Sequence, residues 1–261
     1  MLEPALSLAR TALAASPAGL LSDIDGTLAP IIADPRAVAL ADGAVDALKA
    51  LSRRIAVVGL VTGRAAADVR RMGVADDLLV IGNHGLEVLE PGTERSLMPP
   101  GLEDVPDILA RLLAAVPPED GVMSEAKGLS ATVHYRNAAD PPAARRRIIG
   151  ALSAALPDGI ELREGRMSVE LRPRASGDKG TALSDVVRRH DLRGLVVLGD
   201  DLTDLDMFAA AAALRAAGAI RAALLAVGAD GEAPPAVLEA ADASLASPAD
   251  VVELLRALGN G

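Results

Sequence analysis

The sequence predicts an α/β protein: a mostly parallel sheet core with a smaller α+β unit inserted in its middle. Three observations carry that expectation. In the first and last thirds of the chain, short apolar runs alternate with helical patterns, as in parallel βαβ units. Between about residues 99 and 173 the pattern changes to one-faced alternation, which suits antiparallel strands. Strings of aspartate, glycine and threonine follow the apolar runs, at the strand ends where open α/β sheets bind ligands.

Taken in order, Leu2 to Ala15 reads as an amphipathic helix packed on the core. Leu20-Leu21, in the apolar run from Ala18, reads as a strand, Asp42 to Arg53 as a helix, and Ile55 to Val61 as a second buried strand. Ala65 to Met72 then reads as a helix and Leu78 to Ile81 as a third strand. Pro99-Pro100-Gly101 looks like a hinge. Beyond it Leu102 to Val116 is helical, Leu129 to Arg136 and Ser168 to Arg172 alternate like one-faced strands, and Pro141 to Leu156 is a helix with Arg145, Arg146 and Arg147 on a solvated face. The parallel pattern then resumes. Lys179 to His190 is a helix, Gly194 to Leu198 a strand, Thr203 to Ala217 a helix, Ile220 to Val227 a strand and Pro248 to Leu258 a closing helix. The expected division is 1–98 with 174–261 as the core and 99–173 as the insert, with a cleft between the two parts.

Composition excludes several classes of function. Of 261 residues, 51% are hydrophobic and 1% aromatic, so the core must be built from Leu, Val, Ile and Ala. Aromatic platforms for stacking nucleic-acid bases are missing, and a net charge of −10 argues against nucleic acid or an anionic membrane as partner. With no cysteine, disulfides, thiolate metal sites and cysteine nucleophiles drop out. No apolar stretch reaches the roughly 18 residues of a membrane span, and the start does not read as a signal peptide. A cytoplasmic, soluble protein is expected; the sequence is silent on assembly, and a monomer is favoured.

Asp23-Ile24-Asp25-Gly26-Thr27-Leu28 follows the first apolar run. Neighbours two apart share one site at a strand tip only if the chain turns, and Gly26 can make that turn. Carboxylates so placed are costly to bury unless they hold a metal or do chemistry, although such a string is also a common polar turn. Thr62-Gly63-Arg64 follows the second strand. Its hydroxyl, flexible backbone and guanidinium suit an oxyanion, and a plain threonine-glycine turn is the alternative. Asp178-Lys179-Gly180 opens a helix, where Asp178 can cap and Lys179 can reach a phosphate. Gly199-Asp200-Asp201-Leu202-Thr203-Asp204 packs three carboxylates into five positions. They repel one another unless a hard cation such as Mg²⁺ neutralises them or solvent surrounds them.

In this order and setting, the four strings resemble those of the haloacid-dehalogenase-like phosphatases, a Rossmann-like fold. The resemblance implies that Asp23 is the nucleophile that carries the phosphoryl group as an aspartyl phosphate. Asp25 would be the general acid and then the base, and Thr62 and Lys179 would hold phosphoryl oxygens beside Gly63 and Arg64. Mg²⁺ would be held by Asp23, the backbone carbonyl of Asp25 and Asp200, with Asp201 and Asp204 in support. Ile24 and Thr62 stand where an aromatic residue and serine are common, and Leu205 replaces a usual acidic residue.

The insert falls where that superfamily carries a C2-type cap. Three stretches, Gly82-Asn83-His84-Gly85-Leu86-Glu87, Glu125-Ala126-Lys127-Gly128 with Thr132 to Arg136, and Gly165 to Pro173, are together similar to those of the trehalose-6-phosphate phosphatase family. By that resemblance Glu125, Lys127 and Glu170 bind sugar hydroxyls, with Arg136 near the substrate, and cap closure excludes water. For each of these the plainer reading is an exposed strand charge. His84 and His134 read equally well as structural. A sucrose-phosphate or glycosyl-phosphoglycerate phosphatase, a phosphomutase and a catalytically silent regulatory domain are the competing readings.

Overall fold

In the computed structural model of the chain, residues 2–32, 37–74, 77–165, 167–174, 177–228, 231 and 233–259 are described. Arg166, within the Gly165 to Pro173 string, lies outside them. The chain divides into two compact units, Met1–Leu97 with Gly177–Gly261, and Met98–Ser176.

The larger unit begins with α1 (Leu2–Leu13), β1 (Ala18–Ser22), α2 (Ala44–Ser52), β2 (Val57–Val61), α3 (Ala66–Arg71), β3 (Leu79–Gly82) and β4 (Glu87–Leu89). The smaller unit supplies α4 (Val105–Ala114), β5 (Met123–Ala126), β6 (Ala131–His134), α5 (Pro141–Ala155), β7 (Ile160–Gly165) and β8 (Ser168–Pro173). The larger unit then resumes with α6 (Lys179–Arg189), β9 (Gly194–Gly199), α7 (Leu205–Ala216), β10 (Arg221–Val227), α8 (Pro235–Ala240), β11 (Ala243–Leu245) and α9 (Pro248–Gly259).

Seven strands of the larger unit form one sheet in the order β11-β10-β9-β1-β2-β3-β4. All pairings are parallel except β3 with β4. β1, β2 and β9 are buried along their whole length, which is why they read as unbroken apolar runs rather than alternating ones. One face of the sheet (Leu20, Leu60, Val80, Val196, Leu225) packs with Ala5 and Ala9 of α1, Leu48 of α2, Val69 of α3 and Leu255 of α9. The opposite face (Leu21, Val61, Ile81, Val197, Leu224) packs with Leu183 of α6, Phe208 of α7 and Val237 of α8. The buried positions of α1, namely Ala5, Leu6, Ala9 and Ala12, recur at the three- and four-residue spacing of an amphipathic helix. The strand order puts the carboxyl ends of β9, β1, β2 and β3 side by side; the strings at Asp23, Thr62 and Asp200 follow β1, β2 and β9, and Asp178-Lys179-Gly180 opens α6.

The smaller unit is a four-stranded antiparallel sheet, β5-β6-β8-β7. Ala131, Val133, Val169 and Leu171 are buried on one face, with Leu109 and Leu112 of α4 and Ile148 and Leu152 of α5. On the other face Glu125 of β5 stands opposite Thr132 of β6, Thr132 opposite Glu170 of β8, and Glu170 opposite Arg163 of β7. Because side chains alternate across a strand, this register forms a transverse polar row.

Three features depart from the sequence expectation. β4, β5, β7, α8 and β11 were not foreseen. β5 (Met-Ser-Glu-Ala) has no β-branched residue and β7 is half exposed, so neither has a strong strand signature. The helix expected from Thr203 is preceded by a separate 3₁₀ turn, Leu202–Asp204, capped by Asp201. Arg145 and Arg147 are not merely solvated, because they pair with Glu164 and Glu119. Among the described residues no helix is long and apolar enough to cross a membrane.

Candidate active site

Asp23 immediately follows β1, and its N–H donates to the Leu198 carbonyl of β9 at 3.0 Å. The chain then coils on itself, with the N–H groups of Leu28 and Ala29 both donating to the Ile24 carbonyl at 2.8 Å. Gly26 makes the coil possible. It has φ of +91°, and a Cβ there would collide with the Asp200 carboxylate. The Thr27 hydroxyl donates to Asp200 Oδ1 at 2.8 Å, a partnership for which the sequence held no signal.

Lys179 lies at the start of α6, behind its N-cap Asp178, whose carboxylate accepts from Thr181 N–H. Its ammonium is 3% exposed and donates to Asp23 Oδ1 at 2.6 Å and to Asp204 Oδ1 at 2.7 Å. Asp204 Oδ2 accepts the N–H groups of Asp200 and Asp201 at 2.9 and 3.0 Å. Asp204 is therefore the joint between the lysine and the acidic turn after β9.

Asp23, Asp200 and Asp204 each offer an oxygen to a group whose members lie within 4.8 Å of one another. All three are buried, as is Lys179. Three carboxylates against one ammonium leave two formal negative charges inside the protein. Burial drives Asp23 well above the usual carboxylate range; Lys179 opposes this, while Asp204, Asp200 and Asp25 add to it. Burial, and then Asp204 beside it, push Asp200 up to about 7, against the Thr27 hydrogen bond and Lys179. Burial alone would discharge Lys179, but Asp204 and Asp23 outweigh it and hold the ammonium above its ordinary range. Hard oxygen donors with a deficit of two positive charges fit a divalent cation such as Mg²⁺.

The remaining predicted residues fall in distinct places. Asp25 is outside the buried group. Its carboxylate is gripped by Arg64, whose Nε and Nη2 donate to it at 2.7 and 2.6 Å. Arg64, read from the sequence as an oxyanion ligand, thus has a carboxylate partner. Thr62 is buried at the tip of β2, and its hydroxyl accepts the Arg64 N–H at 3.2 Å. Gly63 follows it in the same loop. Asp201, read as supporting the metal, is exposed, and its carboxylate accepts Leu202 N–H as a turn cap. In the smaller unit Glu125 Oε2 lies 3.3 Å from His134 Nε2 and 3.9 Å from Lys127 Nζ, and Glu170 shares the polar row. Arg136 is exposed in the turn beyond β6.

The Asp200 environment has a measurable consequence. A carboxyl whose value is raised by folding stabilises the folded state below the unfolded value and loses that contribution as pH rises through the folded one. Without divalent cation, the melting temperature of the protein relative to an Asp200→Asn variant is expected to fall between about pH 4 and 7, and Mg²⁺ is expected to reverse the fall. Thermal melts in chelator and in Mg²⁺ read this directly; a pH-independent difference would contradict it.

Residues 21–226 match the family described as trehalose-phosphatase. An uncharacterized glycosyl hydrolase of Mycobacterium tuberculosis is 36% identical over 201 residues, 71% of this chain and 15% of that protein. A trehalose-phosphate phosphatase of the same species is 35% identical over 217 residues, 78% of this chain and 54% of that protein. The chain thus spans about half the length, or less, of these curated relatives. Among solved structures, the C-terminal domain of C. albicans trehalose-6-phosphate phosphatase superposes with a TM-score of 0.77 at 23% identity, over 98% of this chain and 96% of that one.

Proposed function

The chain belongs to the trehalose-phosphatase family, and from this we propose that it hydrolyses trehalose 6-phosphate to trehalose and phosphate, the last step of trehalose synthesis, through an aspartyl phosphate on Asp23. The observation that carries the reading is the buried Asp23–Lys179–Asp204–Asp200 group with its two uncompensated charges. Few structural roles justify burying such a group, whereas phosphoryl transfer uses every member.

In the proposed reaction a carboxylate oxygen of Asp23 attacks phosphorus as the bond to the sugar oxygen breaks, and Asp25 gives its proton to that oxygen. The Asp25 carboxylate then takes a proton from the water that attacks the phosphoaspartate, which releases phosphate and restores Asp23. Lys179 and Thr62 hold the non-bridging oxygens. Arg64, in bidentate contact with Asp25, orients the acid rather than the phosphate. A divalent cation held by Asp23, the Asp25 carbonyl and Asp200, backed by Asp204, would neutralise charge on the phosphoryl oxygens. Asp201 would act only through the turn it caps. Glu125, Lys127 and Glu170 carry sugar recognition, since each of their polar atoms can pair with a hydroxyl.

A panel of sugar phosphates assayed for free phosphate, with and without Mg²⁺, tests the reading. Trehalose 6-phosphate is expected to be preferred and the activity to need the cation. Preference for a phosphoglycerate or sucrose phosphate would defeat the specificity, and isomer in place of free phosphate would identify a mutase. Within the same panel Glu170→Ala is expected to lower kcat/KM for trehalose 6-phosphate by about 10- to 100-fold, the scale of losing one or two sugar hydrogen bonds. It should leave a small aryl phosphate almost unaffected. Equal losses on both would remove Glu170 from the sugar site.

A further inference from the structure

The string Gly82-Asn83-His84-Gly85-Leu86-Glu87 follows β3, beside the catalytic tips of β1 and β2, and no step of the reaction above uses it. Its geometry is unusual. Asn83, His84 and Gly85 are successively left-handed, with φ of 48°, 56° and 110°. Residues with side chains rarely adopt that conformation, and runs of it persist only where the surroundings over-determine them.

The surroundings are the two loops assigned to the phosphoryl oxygens. His84 N–H donates to the Thr62 carbonyl at 3.0 Å and Asn83 N–H to the Arg64 carbonyl at 2.8 Å. Glu87 closes the arrangement. Its Oε2 accepts the N–H of Ala66, just beyond Arg64, and its Oε1 accepts the Asn83 side-chain amide, both at 2.8 Å. The carboxyl is buried, and burial raises its value against those two hydrogen bonds. An apolar residue there would strand an N–H and an amide donor from two different loops. The His84 ring also lies on Gly63, where a Cβ would come within 2.5 Å of Nε2, and Gly85 lies on the residue before Lys179, where a Cβ would come within 3.0 Å of the Asp178 carbonyl. One turn therefore touches both oxyanion-holding segments, through bonds on one side and close packing on the other.

We propose that the Asn83–Gly85 turn and Glu87 are positioning residues for the phosphoryl group: they fix the Thr62–Arg64 loop against the lysine segment. The proposal rests on the phosphatase reading only for what the loop holds, not for the brace itself. Its action is through the loop, so it should affect every phosphate ester alike, unlike the sugar-binding face of the smaller unit.

The test uses the full chain with Glu87→Ala and Glu87→Gln. The glutamine can accept from Ala66 and meet a flipped Asn83 amide, so it should preserve both bonds. In E87A, hydrogen–deuterium exchange at 62–66 is expected to accelerate, with orthovanadate, a mimic of five-coordinate phosphorus, inhibiting about 10- to 100-fold more weakly, as misplacing a reacting group does. Losses in kcat should be equal on aryl and sugar phosphates, and E87Q should recover all three readouts. A merely structural role would lower the melting temperature of E87A while vanadate affinity and kcat per active site stayed as in the wild type, and that result would overturn the proposal. Should the wild type cleave no phosphomonoester, the phosphatase reading falls, and exchange at 62–66 still decides the brace: protection unchanged in E87A would sink it.

Discussion

Asp23→Asn should abolish turnover, by at least about 10³-fold, without lowering the melting temperature of the cation-free protein. The first half follows from chemistry, because an amide oxygen cannot form and release an acyl phosphate as a carboxylate does. The second follows from the burial of Asp23 with Asp200 and Asp204 beside it. A neutral side chain of the same shape removes one of the two unbalanced charges and can still accept from Lys179. Steady-state assays with a melt of the same sample check both halves. Residual activity near wild type would exclude covalent catalysis on Asp23, and a large drop in melting temperature would mean that the carboxylate is held for stability.

Lys179→Met should be damaging in both respects. Its ammonium is the only cation seen among the described groups bonded to Asp23 and Asp204, and removing one partner of a buried ion pair costs about 3–5 kcal/mol. Since the two carboxyls can take up protons instead, the deficit should shrink as pH falls from 8 to about 5. Activity should fall by at least about 10³-fold, because a phosphoryl oxygen and the nucleophile lose the same donor. Urea unfolding at several pH values, with and without Mg²⁺, measures the first effect. A pH-independent deficit would mean that packing of the lysine stem, not its charge, is what the fold requires.

The sequence made the larger unit legible because buried parallel strands announce themselves. Val57–Val61 and Gly194–Gly199 are apolar without interruption, and Thr62-Gly63-Arg64 and the acidic string from Asp200 stand directly at their ends. Asp23, Lys179, Asp200 and Asp204 were therefore findable from order and spacing. What they bond to was not. The density of carboxylates after β9 suggested a metal site with Asp200 as ligand and Asp201 and Asp204 in support, and the backbone geometry gives each a partner the spacing did not show: Asp201 closes a turn, Asp204 holds Lys179, and Asp200 receives Thr27. Arg64 followed Thr62-Gly63 in a way that suited an oxyanion, but which of two acceptors a long side chain reaches depends on contacts across 39 residues. Glu87 entered the sequence reading only within the Gly82 to Glu87 string, because neither its burial nor its bonds to Ala66 and Asn83 appear in the local pattern. Among the strands, β5 and β7 lacked a signal because they lie at the two edges of their sheet, where half-exposed polar residues are acceptable.

Strand β1, which leads into Asp23, is flanked by β2, made soon after it, and by β9, made only after the whole insert. The bonds that complete the centre span 156 residues between Lys179 and Asp23 and 173 between Asp200 and Thr27. At translation speeds of roughly 5–20 residues per second, a nascent chain waits about ten to thirty seconds with one margin of β1 bare. Its hydrogen-bonding groups are meanwhile open to any passing polypeptide. The Asp23–Lys179–Asp204–Asp200 group can thus close only once residue 204 has been made, and the interval before it leaves that margin of β1 open to mispairing.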